Sequence, residues 1–91
     1  MPYIKKKERP RFDSLIDSLI GELRKSPPED QDGQLNYIVT RLLNAIYTKP
    51  ETRYFNINRA MGVLSCILQE FYRRKAAPYE DKKMEERGDV D

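Results

Sequence analysis

Apolar residues recur at helical spacing in three segments of this chain. In residues 12–25 they are Phe12, Leu15, Ile16, Leu19, Ile20 and Leu23. From about residue 34 to residue 47 they are Leu35, Ile38, Val39, Leu42, Leu43, Ala45 and Ile46. From about residue 56 to residue 77 they are Ile57, Ala60, Met61, Leu64, Ile67, Leu68 and Phe71. The pattern predicts an all-α fold, a small bundle of three main helices.

Breaks in this pattern fall at prolines, which mark the ends of the first two helices. Pro27 and Pro28 end the first helix, and Asp30 or Asp32 can cap the second. The second helix ends at the Lys49-Pro50 pair, since proline lacks the N–H that a helix interior needs. The two connections are therefore predicted over residues 26–33 and 48–55.

The third helix is predicted to begin at Asn56, a suitable N-cap, and to be followed by a separate short helix. Proline is favoured in a first turn, so the short C-terminal helix is expected from Pro78 to Arg87. Gly88 fits the C′ position after it. The chain is then one helical bundle domain, 12–88, with a basic N-terminal arm, 1–11, and an acidic tail, 89–91.

The charge is balanced overall but uneven along the chain. Seventeen basic and fifteen acidic residues give a net charge of +2, too little to indicate a nucleic-acid partner by itself. The arm carries five basic residues against Glu8, a net charge of +4. Residues 79–91 carry six acidic against three basic residues, a net charge of −3. Opposite charges at the two ends could pair across a dimer.

Cysteine usage and hydropathy indicate a cytoplasmic protein. One cysteine, Cys66, excludes an internal disulfide, which a small secreted domain would usually need. No run of about 20 apolar residues is present to span a membrane. The N-terminal segment lacks the apolar stretch of a signal peptide. We therefore expect a cytoplasmic location and no membrane partner.

Residue types exclude most catalytic arrangements, and we predict no enzyme activity. The chain has no histidine, which excludes histidine-based triads and histidine metal sites. Its four glycines lie far apart, so no phosphate-binding glycine loop is present. A carboxylate-lined magnesium site, as in all-helical nucleotide pyrophosphohydrolases, would have only Glu70, Glu80 and Asp81. We predict no catalytic residue, no cofactor and no metal ligand.

Ten residues are candidates for interaction rather than catalysis. Arg73 and Arg74 stand three and four positions after Glu70, with Arg59 on the same side of the third helix. This set is either an exposed ion-pair face or a phosphate-binding face. Tyr3 and Ile4 precede a run of three lysines and are expected to anchor the arm on the bundle. The ten candidates are Lys5, Lys6, Lys7, Asn36, Arg59, Gly62, Cys66, Glu70, Arg73 and Arg74.

Two of these candidates have a simpler structural interpretation. The amide of Asn36 falls at the edge of the apolar face of the second helix, where it would fix a neighbouring loop or helix end or belong to a binding site. Cys66 fits a buried free cysteine, since this residue type is commonly buried. Alternatively, Gly62 and Cys66 are small enough to let two helices approach closely.

Seven strings of the sequence form a distinctive ordered set: Met1-Pro2-Tyr3-Ile4, Asp32-Gly33-Gln34-Leu35-Asn36-Tyr37, Thr40-Arg41-Leu42-Leu43, Asn58-Arg59-Ala60-Met61-Gly62-Val63-Leu64, Glu70-Phe71-Tyr72-Arg73-Arg74, Ala77-Pro78-Tyr79-Glu80-Asp81 and Gly88-Asp89-Val90. Together they resemble a family of short uncharacterised proteins of prokaryotes and their phages. The family pattern has glutamate at the position of Gln34 and asparagine at that of Arg87. The resemblance spans nearly the whole chain and implies a cytoplasmic, phage-related accessory protein, with no functional residue to transfer.

Three functional hypotheses follow, in this order. The first is a non-enzymatic interaction module that forms a homodimer through its third helix and binds an unidentified protein partner. The dimer contact would be either the small-residue face at Gly62 or the apolar arc from Val63 to Tyr72. The alternative is a monomer in which the other helices cover that arc. The second is a nucleic-acid-binding accessory protein that uses the arm with residues 73–75. The third is a metal-dependent nucleotide pyrophosphohydrolase.

Overall fold

Residues 3–90 are described by a computed structural model of the chain. The first two residues of the arm and the last residue of the tail lie outside this range. A short 3-10 turn, Lys6–Glu8, leads into four α-helices. They are α1, Pro10–Arg24; α2, Pro28–Tyr47; α3, Tyr54–Phe71; and α4, Ala77–Arg87. No strand occurs within residues 3–90, so the predicted all-α class is confirmed.

Proline, rather than aspartate, sets the start of α2. The helix begins at Pro28 with Pro27 in extended conformation before it, six residues earlier than the apolar pattern predicts. Proline suits this position because the first helical N–H has no partner to lose. The predicted capping by Asp30 or Asp32 is wrong, since no side chain caps α2. Asp30 instead lies in the first turn, where its charge complements the helix dipole.

The start of α3 also differs from the prediction. Arg53 takes the N-cap position without a side-chain hydrogen bond, and the helix begins two residues before Asn56. The amide oxygen of Asn56 is used differently, because it accepts a hydrogen bond from Arg59 at 3.3 Å. Tyr54 and Phe55, predicted to lie in a loop, therefore form the first turn of α3.

The third and fourth helices are joined end to end, not separated as the sequence predicts. A single π-helical turn, Tyr72–Ala76, connects them, and the N–H of Ala77 bonds the carbonyl of Tyr72 five residues back. Pro78 explains the widened turn, because it has no N–H to offer the carbonyl four residues earlier. The continuous helix from Tyr54 to Arg87 is about 50 Å long at 1.5 Å per residue. Its length matches the 53 Å long axis of the molecule.

Gly88 ends the long helix, as predicted. Its φ of +87° lies in a region that favours glycine, and its N–H bonds the carbonyl of Met84 at 2.7 Å. The chain therefore leaves the helix at a defined residue.

Successive helices pack only on each other, so the chain alone forms no closed bundle. Within residues 3–90, α1 packs on α2 and α2 on α3, while no Cα atom of α1 lies within 8 Å of α3 or α4. No side chain in this range is buried. The radius of gyration is 17.1 Å, against about 12 Å for a compact domain of this length. The four helices thus provide surfaces rather than a core.

Candidate binding groove

The α3 helix presents three different sides. Ala60 and Leu64 are partly covered, which indicates the side of α3 that faces its neighbour α2. One flank carries Gly62, Val63 and Cys66, which line a groove. At 100° per residue, the roughly opposite flank consists of apolar side chains within an arc of about 60°. These side chains are Ile57, Met61, Leu68 and Tyr72.

The apolar flank of α3 continues onto α2. Around the axis of α2, the less exposed Leu43 lies between Tyr47 on one side and Leu42 and Ile46 on the other. Tyr47 lines the groove. From this order around α2 we infer that Leu42 and Ile46 lie on the same side as the apolar flank of α3. We call this combined set the apolar surface: Leu42, Ile46, Ile57, Met61, Leu68 and Tyr72. It contains no charged residue, yet Met61 is 60% exposed and Leu68 is 71% exposed.

The groove lies between the arm, the end of α2 and α3, and has a volume of about 770 Å³. Its wall is mostly apolar, formed by Tyr3, Tyr47, Gly62, Val63, Cys66, Ile67 and Phe71. Its charged residues are Arg59, Glu70, Arg74 and Lys75. A Cβ atom placed on Gly62 would meet nothing within 4 Å, so the groove is open beside this residue.

Glu70 organises the polar end of the groove. Its side chain is only 18% exposed, and Oε1 accepts hydrogen bonds from the Tyr3 hydroxyl at 3.4 Å and Arg73 Nη2 at 2.6 Å. Arg74 Nη1 lies 3.8 Å from the same oxygen. The hydrogen bond from Arg73 is the main cause that lowers the pKa of Glu70. Partial burial raises this pKa, but the charges of both arginines and the hydrogen bond from Tyr3 lower it further. The same pairing raises the pKa of Arg73.

The predicted ion-pair face is thus present, but Arg59 is not part of it. Its guanidinium donates to Asn56 and lies over the ring of Tyr47, 5.3 Å from the centroid. The charge of Arg59 therefore lies at the groove, beside an aromatic ring and a neutral amide. No acidic side chain within residues 3–90 forms an ion pair with it.

Other predicted candidates lie away from the groove. Lys5, Lys6 and Lys7 are exposed in and before the 3-10 turn. Asn36 is exposed on α2 and accepts a hydrogen bond from the Thr40 hydroxyl at 3.3 Å, so it fixes no neighbouring loop. Cys66 is exposed rather than buried, because α3 has no helix on that flank.

The sequence pattern did not indicate Tyr47 or Phe71 as groove residues, and it indicated Lys75 only as part of the basic segment 73–75. Tyr47 enters the groove only because α2 ends beside the groove flank of α3, and helical periodicity within one segment cannot show this. Lys75 lies in the π turn, whose wider winding changes the side on which a residue falls.

Two of the three carboxylates named for a magnesium site, Glu70 and Glu80, are hydrogen-bonded to tyrosine or arginine side chains. Oε2 of Glu80 accepts a hydrogen bond from Tyr72, while Glu70 is engaged by Tyr3 and Arg73. In the part of the chain that the structure describes, no group of three or more histidine, cysteine, aspartate or glutamate residues could hold a metal ion.

A family model matches residues 1–90, and its description is a domain of unknown function, DUF6899. The chain belongs to this family. The resemblance to an uncharacterised family is therefore confirmed over nearly its full length. No curated protein and no solved structure matches the chain. None of the helices described for this DUF6899 chain has the length and apolar character to cross a bilayer.

Proposed function

We propose that the protein is a non-enzymatic interaction module that folds as an obligate homodimer and serves a prokaryote or phage as an accessory protein. The observation that carries this proposal is the absence of any buried side chain within residues 3–90. Burial of apolar surface is the main favourable contribution to folding, so helices without a core need a partner to be stable.

The exposed area indicates how large the missing contact is. The chain has an accessible area of 8483 Å², whereas a compact monomer of 10.8 kDa has about 5,500 Å². The excess of about 3,000 Å² per chain corresponds to about 6,000 Å² in a dimer, within the range of obligate homodimers. A transient partner with a standard interface of about 800 Å² per side would leave most of this surface exposed.

The apolar surface is the better contact between two copies. A two-fold axis sets the same patch of both copies face to face, so a patch with an excess of one charge repels itself. The apolar surface has no charge, whereas the groove carries Arg59, Arg74 and Lys75 against Glu70. Of the two contacts open to the sequence hypothesis, we therefore favour the part of the apolar arc that includes Leu68 and Tyr72 over the Gly62 face. Val63, at the other edge of the predicted arc, lines the groove.

Two neighbouring substitutions test this assignment. Leu68→Glu places a charge in the apolar surface. Gln69→Glu places the same charge one residue further along α3, where the side chain of Gln69 hydrogen-bonds Ser65. We expect Leu68→Glu to lose the dimer and the cooperative unfolding transition, and Gln69→Glu to keep both. A Leu68→Glu protein that remains a folded dimer in light scattering would contradict the proposed interface.

Nucleic-acid binding is a second candidate function, favoured by the contact between Tyr3 and Glu70. This contact brings the start of the basic arm to the helix segment that carries Arg73, Arg74 and Lys75, far away in sequence. Lysine and arginine that neutralise phosphates make binding salt-dependent. Replacing Lys5, Lys6 and Lys7 by alanine should weaken binding of a labelled oligonucleotide and flatten the slope of log K against log salt. No binding by the wild-type protein at low salt would exclude this function.

A further inference from the structure

We propose that the groove binds a nucleotide, with the phosphate at Arg74 and Lys75 and the base against the rings of Tyr47 and Phe71. The nucleotide can be free or a unit of a single strand, since both present the same phosphate and base. This inference extends the second candidate function to a defined site and does not depend on the dimer contact.

The size of the groove suits this ligand. Small-molecule sites are concave, mostly apolar and about 300–1,000 Å³ in volume, and the groove has about 770 Å³. The open space beside Gly62 and the small side chain of Cys66 keep the groove wide at its centre. A larger side chain at position 62 would project into this space.

The charge of the groove selects an anion. Three cationic residues and one carboxylate line it, which leaves a net charge of +2. Glu70 pairs most closely with Arg73, a residue that does not line the groove, and at 3.8 Å with Arg74, so its negative charge is compensated largely from outside. Lys75 makes no ion pair within residues 3–90. Hydrogen bonds from such cations to phosphate are among the stronger polar contacts in proteins.

The aromatic rings of the groove favour a ligand with a nucleobase over a ligand with an aliphatic chain. Tyr3, Tyr47 and Phe71 provide three of its lining residues, and Phe71 is 66% exposed. Stacking of bases on aromatic side chains beside basic residues is the common mode of single-strand recognition and tolerates any sequence. Arg59, which already lies over Tyr47, adds a planar cation next to the ring.

The single thiol of the chain allows a local test, because Cys66 lines the groove and is exposed. The rate at which Cys66 reacts with a thiol reagent is measured in the full-length protein with increasing adenosine monophosphate, and separately with an adenylate decamer. We expect both ligands to slow the reaction to saturation, and adenosine without phosphate to have at most a tenth of the affinity. Unchanged rates with both phosphate ligands would overturn the proposal.

Matched charge substitutions assign the phosphate contact. Lys75→Glu should weaken adenosine monophosphate at least tenfold, whereas Lys82→Glu, the same change on α4 outside the groove, should leave its affinity unchanged. Equal affinities for the two variants would place the ligand elsewhere and contradict the proposal. The decamer could instead bind through Lys5, Lys6 and Lys7 without slowing the reaction of Cys66. That result would limit nucleic-acid binding to the arm and would also contradict the proposed groove site.

The same thiol distinguishes a nucleotide from a second copy in the groove. If a second chain filled it, Cys66 would react slowly in the dimer without any ligand and faster on dilution. We expect a fast, concentration-independent reaction, and a Gly62→Leu protein that keeps its dimer mass but loses adenosine monophosphate binding. A Gly62→Leu protein that loses the dimer would assign the groove to the second copy and contradict the nucleotide site.

Discussion

The hydroxyl of Tyr3 donates a hydrogen bond to the carboxylate of Glu70 across 67 positions of sequence. The same carboxylate pairs with Arg73, three residues further along the helix. This cluster ties the N-terminal arm to the middle of the long helix and closes one end of the groove. The predicted anchoring of the arm by Tyr3 thus has a specific polar partner on α3.

Acid should weaken this cluster in a predictable range. The pKa of Glu70 is lowered on folding from its ordinary value of 4.5, mainly by the hydrogen bond from Arg73. Its contribution to stability is therefore complete above the unfolded pKa and is lost as the pH falls through the folded pKa. The free energy of unfolding of the wild type should fall more steeply below pH 4.5 than that of Glu70→Gln. Urea unfolding at several pH values measures both, and parallel curves would contradict the role of Glu70.

Pro78 is expected to limit the stability of the long helix. Replacing it by alanine supplies an N–H for the carbonyl of Arg74 and lets the π turn return to α-helical winding. We expect Pro78→Ala to raise the free energy of unfolding by about 1–3 kcal/mol. Pro28→Ala is the control, because Pro28 begins α2 and its missing N–H removes no helical bond. An equal effect of the two substitutions would show that the π turn is not a response to proline.

Two glycines should respond to alanine in opposite directions. Gly88 has a positive φ, so Gly88→Ala should cost about 1 kcal/mol. Gly21 lies within α1 on the side away from its apolar residues, and a Cβ there meets nothing within 4 Å. Gly21→Ala should therefore stabilise the protein by about 0.5–1 kcal/mol. Urea midpoints at one fixed protein concentration compare them, and a shift in the same direction for both would be inconsistent with these backbone conformations.

The sequence was sufficient to predict the helices but not their arrangement. Stripes such as that from Phe12 to Leu23 identify three amphipathic helices, because a helical period is visible within each segment. The early start of α2 at Pro28 was missed, since residues 28–33 carry no apolar pattern. The joining of α3 to α4 was missed because Pro78 fits a first turn as well as a π turn within a continuous helix.

The groove could not be predicted, because it depends on how helices are placed rather than on their pattern. Gly62 and Cys66 are recognisable in the sequence as small residues on α3, but Tyr3 and Tyr47, which line the groove with them, come from distant segments. A broad apolar arc that includes Leu68 is visible in the sequence, and Leu68 is 71% exposed in the folded chain. Only the folded chain shows that large apolar side chains are exposed on every helix.

The most direct test of the obligate dimer is to measure mass and helicity together across a dilution series. Light scattering after size exclusion should give about twice 10.8 kDa at micromolar concentration. The urea midpoint followed by circular dichroism should rise with protein concentration, because a chain without a core loses its helices when it separates from its partner. A species of 10.8 kDa that stays helical and unfolds cooperatively at a midpoint independent of concentration would contradict the account.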